Sequence, residues 1–115
     1  MTALGLACQE GHAAFVKLLL DRGADISKGN RDSFRPLWIA CQVGDGDCSI
    51  PNLLLERGAA VNEADARSDN FTALHFAAAN EDVALVALLL EFGADPTARD
   101  DSGDTALDVA KSIKP

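Results

Sequence analysis

Few side chains in this 115-residue chain could carry chemistry. Its thiols are Cys8, Cys41 and Cys48 and its imidazoles are His12 and His75. A cysteine beside a histidine is the minimal arrangement for a thiolate nucleophile, but nothing here resembles a nucleophile elbow or supplies a third orienting group in a known arrangement. A zinc site needs four convergent ligands. Cys41 and Cys48 lack Cys-x-x-Cys spacing and no His-x-x-x-His follows them. The stretches Asp45-Gly46-Asp47 and Asp100-Asp101-Ser102-Gly103-Asp104 offer the oxygen donors of a calcium loop without its spaced ligands and terminal glutamate, and read as solvated turns. Gly-rich phosphate loops are also missing. The expectation is a chain with no catalytic residue, no metal site, no cofactor and no small-molecule substrate.

Composition narrows the partner. A net charge of −8 repels both a phosphate backbone and an anionic membrane surface, so a polar or basic protein surface fits better than nucleic acid or lipid. Hydrophobic residues make up 48% of the chain, enough for one core, and no apolar run approaches the roughly 20 residues of a membrane span. The N-terminus lacks the basic and apolar regions of a signal peptide, and an odd number of cysteines without a pairing pattern reads as reduced thiols, mostly buried. Together these predict an intracellular protein, cytoplasmic or nuclear, acting as a monomer on another protein.

The elements come from self-similarity. Leu18-Leu19-Leu20, Leu53-Leu54-Leu55 and Leu88-Leu89-Leu90 recur at a spacing of 35, each followed by an acidic residue and a turn at Gly23, Gly58 or Gly93. Glycine adopts the left-handed conformation of a helix C-terminus without steric cost, so each triplet reads as the end of a helix. A second series marks helix starts: Thr2-Ala3-Leu4, Arg35-Pro36-Leu37, Thr72-Ala73-Leu74 and Thr105-Ala106-Leu107. Ala40, Ala77 and Ala110 keep neighbouring helices close. Each unit is a short helix, a turn, a leucine-bearing helix and a loop to the next unit.

Thr72-Ala73-Leu74-His75-Phe76-Ala77-Ala78, with Gly11-His12 and Gly23-Ala24-Asp25, resembles the ankyrin repeat over nearly the whole chain. The resemblance implies an all-α solenoid of antiparallel helix pairs with hairpin-like fingers between repeats, in one domain. The repeats run over about 1–29, 30–66 and 67–99, with a partial cap over 100–115. It also implies a protein-binding role on the concave face formed by fingers and first helices, and structural roles for His12 and for His75, whose imidazole would tie a finger to its helix. That histidine is Gly5, Trp38 and Asp108 in the other repeats, and the helix-ending glycine is Glu81 in the third, which predicts weaker finger-to-helix bonding there. With no finger before Met1, the chain reads as a fragment whose N-terminal side lacks a polar cap, while Lys111, Ser112 and Lys114 resemble a C-terminal cap.

The repeats disagree in the middle. Start segments are spaced 33, 37 and 33 residues apart, so the second unit carries four extra residues. Two fall between Leu37 and Leu53, within Gly44-Asp45-Gly46-Asp47-Cys48-Ser49, and two lengthen the finger between Gly58 and Leu74. Pro51 costs roughly 3 kcal/mol inside a helix, so the longer loop predicts a helix capped by Ser49 with Pro51 in its first turn.

Placed by the repeat, the partner-binding residues are Arg31, Asp32, Phe34, Trp38, Gln42 and Val43 in the second unit. In the third they are Arg67, Ser68, Asp69, Phe71, Ala79 and Asn80, and the row continues in Asp101, Ser102 and Asp104. Phe34, Trp38 and Phe71 form a candidate aromatic patch with a charged rim, the arrangement interface hot spots favour; the competing reading packs all three on neighbouring fingers. Specificity is expected between the second and third fingers. Other readings keep the fold and change the context: a regulatory or targeting segment of a larger enzyme, channel or ubiquitin-ligase adaptor, or a short free-standing enzyme inhibitor. Asn62 stands where the family's Val-Asn is a target of asparagine hydroxylation.

Overall fold

A computed structural model describes residues 2–26, 35–43 and 47–113. Among them are the helices α1 (Ala3–Glu10), α2 (Ala13–Asp21), α3 (Pro36–Val43), α4 (Ser49–Glu56), α5 (Ala73–Ala79), α6 (Val83–Glu91) and α7 (Ala106–Ile113). Helices of seven to nine residues do not persist alone in water, so each must be held by neighbours. The odd-numbered helices stack as an inner row, α1 on α3 on α5 on α7, and α2, α4 and α6 pack behind α1, α3 and α5 as an outer row. The result is an elongated stack of 42 × 27 × 23 Å.

Sequence dictates where each helix begins. Thr2 Oγ1 accepts the Gly5 amide at 3.0 Å, Thr72 Oγ1 accepts the His75 amide at 3.4 Å and Thr105 Oγ1 accepts the Asp108 amide at 3.3 Å, each satisfying an amide that has no intrahelical partner. Pro36 opens α3, where its missing N–H costs nothing. In α4 the expected cap is displaced. Ser49 is the first helical residue, because the Asp47 carboxylate accepts both its amide (2.9 Å) and its hydroxyl (2.6 Å) and so ties down the entry in place of a Ser49 cap. Pro51 then falls at the third helical position, inside the first turn as expected.

The leucine-bearing helices end identically. At each, the glycine amide bonds to the carbonyl three residues back and the following alanine amide to the one five back: Gly23 to Leu20 and Ala24 to Leu19, Gly58 to Leu55 and Ala59 to Leu54, Gly93 to Leu90 and Ala94 to Leu89. The inner helices α1 and α5 use the same closure. Gly11 ends α1 at φ 75°, and Glu81 ends α5 in the same way at φ 54°, its amide on Ala78 and the Asp82 amide on Ala77.

The core follows from this register. Leu4, Leu37 and Leu74 are buried at the start of successive inner helices, Val16, Leu54 and Leu89 are sealed in the outer row, and the small Ala7, Ala40 and Ala77 lie between stacked inner helices. Leu54→Ala is expected to cost about 2–5 kcal/mol, with a cavity that rigid neighbours cannot close. Glu81 holds a left-handed conformation that costs a non-glycine residue about 1–2 kcal/mol. Glu81→Gly is therefore expected to raise the thermal midpoint by a few degrees, measured by circular dichroism, and an unchanged or lower midpoint would count against strain at this turn.

Candidate protein-docking face

The second and third fingers are each closed by an aspartate. In the second, the Asp65 amide bonds to the Phe71 carbonyl at 2.7 Å in an isolated antiparallel bridge, and buried Asp65 accepts the Arg67 amide on its carboxylate at 3.0 Å. In the third, the Asp100 amide bonds to the Asp104 carbonyl at 2.9 Å, while its carboxylate accepts the amides of Ser102 (2.9 Å) and Asp104 (3.0 Å). Asp65 and Asp100 are 35 residues apart, so they are the same position of the repeat. The two extra residues of the second finger appear as Asp69 and Asn70, consecutive left-handed residues at φ 55° and 58°. Asp and Asn are the non-glycine types that best tolerate this region.

The lengthened tip reaches its neighbour. The Asp101 amide donates to the Asp69 carbonyl at 2.8 Å and Asn70 Nδ2 donates to the Asp101 carboxylate at 2.6 Å. Beneath, Asn62 bridges the next turn, its Nδ2 on the Gly93 carbonyl at 3.0 Å and its Oδ1 accepting the Asp95 amide at 2.7 Å.

Inner helices anchor the fingers from below. His75 Nδ1 accepts from the Thr72 amide at 3.2 Å and lies 2.9 Å from the Thr72 hydroxyl. That fixes the proton on Nε2, which donates to the Asp104 carbonyl at 2.9 Å. Trp38 stands in the equivalent place one repeat earlier and keeps the tie, its indole N–H donating to the Glu63 carbonyl at 3.2 Å. The expected weakening of the finger contact is thus corrected at Trp38: a longer ring reaches the finger backbone where the imidazole would. Arg35 adds a 2.9 Å ion pair to the Glu63 carboxylate and places its guanidinium 5.6 Å from the Trp38 ring centre.

The predicted face is divided in the structure. Arg31, Asp32 and Phe34 lie outside the described residues. Trp38 is only 4% exposed, and Phe71 is half-buried, stacked 5.1 Å from His75 and edge-on to Phe76 at 5.3 Å. Among the described residues, then, the expected aromatic patch is not an exposed patch, because both rings are drawn inward to hold fingers to helices. The other candidates fall into two groups. Arg67, Asp69, Asp101 and Ser102 are exposed at the finger tips, with Ser68 and Asp104 half-buried behind them. Gln42, Val43 and Asn80 are exposed at the ends of α3 and α5 beside half-buried Ala79, and Asn80 Nδ2 donates to the carbonyls of Cys41 and Gln42, both at 3.1 Å. Sequence reasoning missed Glu63 and Asn70 as finger-locking residues; the only signal was the two-residue surplus that contains Asn70.

The reactive side chains have other duties. Burial pushes the Cys8 thiol up to about 12 and the Cys41 thiol higher still, which suppresses thiolate at neutral pH. His75 is committed on both ring nitrogens, and exposed His12 packs edge-on to Phe15 at 5.8 Å. Among the described residues no three His, Cys, Asp or Glu side chains converge as a metal site requires, and no helix is long and apolar enough to cross a membrane.

The class these features define is a helical solenoid with a row of braced fingers and no convergent chemical site among the described residues. Family models confirm and narrow it: one described as ankyrin repeats in three copies matches residues 1–65, and one described as ankyrin repeats in many copies matches residues 54–110. The chain belongs to the ankyrin repeat family, whose members are generally protein-interaction modules and typically non-catalytic. A search of curated proteins gives no match.

Two outcomes test the bracing. His75→Ala leaves the Thr72 amide and the Asp104 carbonyl without their partner and is expected to cost about 1–3 kcal/mol of unfolding free energy by denaturant titration. Hydrogen bonds from Thr97 hold the Asp95 carboxyl below the usual aspartate value of 3.8, and those from Thr105 do the same for Asp108. A lowered folded-state pKa contributes stability above the unfolded value that is lost as pH falls through the folded one. The thermal midpoint should therefore be flat above pH of about 5 and drop below about 4, less steeply in Asp95→Asn and Asp108→Asn; equal slopes in all three would refute this.

Proposed function

We propose that this chain is a protein-interaction module that holds a partner protein on its finger and inner-helix face, as a monomer and without catalysis, in the cytoplasm or nucleus. The observation that carries the reading is the bracing of that face. Backbone and side-chain bonds join the second finger to the third, and buried Trp38 and His75 tie the second and third fingers to inner helices. The exposed side chains Gln42, Val43, Arg67, Asp69, Asp101 and Ser102 ride on this frame, outside the core.

A frame ordered before contact loses little conformational freedom on binding, so modest contacts suffice for specificity. The net charge of −8 favours a basic or polar protein surface over nucleic acid or an anionic membrane. Aromatic anchors at Trp38 and Phe71 are no part of this reading, since both rings serve the frame.

The test replaces Gln42→Ala, Val43→Asp, Arg67→Ala and Ser102→Lys together and compares capture of partners from cell extract. Partner recovery should fall about tenfold or more, the loss of a few interface contacts, while the far-ultraviolet spectrum and thermal midpoint stay near those of the parent. Undiminished capture by a folded variant would overturn the assignment to this face.

A further inference from the structure

The seam between outer helices changes from one repeat to the next. Where α2 meets α4, the Asp21 carboxylate at the end of α2 is held by Lys17, one turn before it, at 3.0 Å and by Arg57, just past the end of α4, at 2.7 Å. Those two bonds keep the Asp21 carboxyl below the usual aspartate value of 3.8. Thirty-five residues on, the acid persists as Glu56, but Asn52 stands in the place of Lys17 and Phe92 in the place of Arg57. One repeat further the acid is Glu91, with Ala87 in the place of the lysine. Glu56 and Glu91 are exposed, and neither is ion-paired among the described residues.

The same seam is open. α4 and α6 leave a groove of about 510 Å³, walled by Ser49 and Asn52 on α4 and by Ala84, Ala87, Leu88 and Glu91 on α6. Glu56 lies one turn past Asn52 and so shares that side of α4, at the same end of the groove as its equivalent Glu91. The Asp47 carboxylate, bonded to Ser49, keeps the other end negative. This opening is internal to the chain, where it accompanies the longer entry to α4 and the loss of both cations. We propose that the α4/α6 groove is a second docking surface, which takes an arginine-bearing segment of a partner protein with the guanidinium set between Glu56 and Glu91.

Charge and shape together select this occupant. The guanidinium restores what Lys17 and Arg57 supply one seam earlier, and its planar fork can meet two carboxylates where an ammonium is a point charge. Its aliphatic stem lies along the apolar wall of Ala84, Ala87 and Leu88. From Asp47 to Glu56 the helix rises roughly 13 Å, which about four residues of extended chain span, so two basic residues at that separation match the two negative ends. A second copy of this chain fits worse, because two chains of net charge −8 repel each other. The groove lies on the outer row, behind the inner helices that carry the fingers, and stands or falls independently of the face proposed above.

The test uses the whole chain, labelled with nitrogen-15, and two blocked pentapeptides, Arg-Ala-Leu-Ala-Arg and Lys-Ala-Leu-Ala-Lys. Saturable amide shifts from the arginine peptide should centre on Asn52, Ala84, Ala87 and Leu88, and the lysine peptide should bind about two- to threefold more weakly. Glu91→Gln should lower affinity about three- to fivefold, the size of one exposed charge pair, while Glu10→Gln, the same charge change on α1, leaves it unaltered. Phe92→Arg returns a cation to the seam and should lower affinity as much, with folding checked by the far-ultraviolet spectrum. No saturable shift at millimolar peptide overturns the proposal. So do shifts that centre on Asp69 and Asp101 at the finger tips, equal losses in Glu91→Gln and Glu10→Gln, or equal binding of the two peptides. Concentration-dependent shifts of the unliganded chain at the same amides assign the groove to a second copy and overturn the proposed partner.

Discussion

A helix of seven to nine residues makes too few internal hydrogen bonds to offset its nucleation cost, so every helix in this chain exists because a neighbour covers it. Stability passes along the stack from one unit to the next, and each unit presents the same two surfaces, one to the repeat before and one to the repeat after. The fingers inherit their order from this arrangement, since Trp38 and His75 are rigid only because the inner helices that carry them are stacked. At the α6/α7 end Leu90 and Leu107 are exposed where their equivalents Leu55, Leu37 and Leu74 are buried.

The acidity of the chain also has an internal explanation. Asp47, Asp82 and Asp108 accept amides at the starts of α4, α6 and α7, while Asp65, Asp95 and Asp100 accept amides within finger turns. A short carboxylate is the most compact group that can satisfy one or two adjacent amides, so a solenoid made mostly of helix ends and turns gathers aspartates. Much of the net charge of −8 is thus architectural. The carboxylates left to influence a partner are chiefly those exposed at finger tips and rims, Asp69 and Glu91 among them.

This explains what could be read in the sequence. Leucine triplets, closing glycines and capping threonines are local signals repeated three or four times, and repetition separates them from chance; the helices followed from them almost residue by residue. Trp38 was misleading because tryptophan is both a favoured interface residue and a large ring with one hydrogen-bond donor. Only the position of the Glu63 carbonyl decides between the two uses, and that contact spans 25 residues. The Ser49 cap failed for a similar reason: Asp47 and Ser49 are both good caps, and the choice between them depends on the turn geometry. Asp69 and Asn70 were visible as a surplus of two residues, but their left-handed pairing and their reach to Asp101 are tertiary facts.

The two rows of the stack are not equally continuous. In the inner row Asn80 bonds back to the end of α3, and His75 bonds onward to the finger before α7. In the outer row Arg57 bonds back to Asp21, but the position one repeat later is Phe92, which cannot pair with Glu56. Here α4 and α6 leave an open groove of about 510 Å³, lined by Asn52, Ala84, Ala87 and Leu88 among others. The longer entry to α4, with Asp47 holding Ser49 ahead of Pro51, borders the same groove. The irregular middle of the sequence therefore has opposite consequences on the two sides of the solenoid. On the finger side its extra residues add bonds that join neighbouring repeats, and on the outer side its extra residues and the missing ion pair coincide with a gap. The stack is thus bonded from repeat to repeat along its finger side and open between α4 and α6 along its outer side, so the second and third repeats meet mainly through the inner row and the fingers.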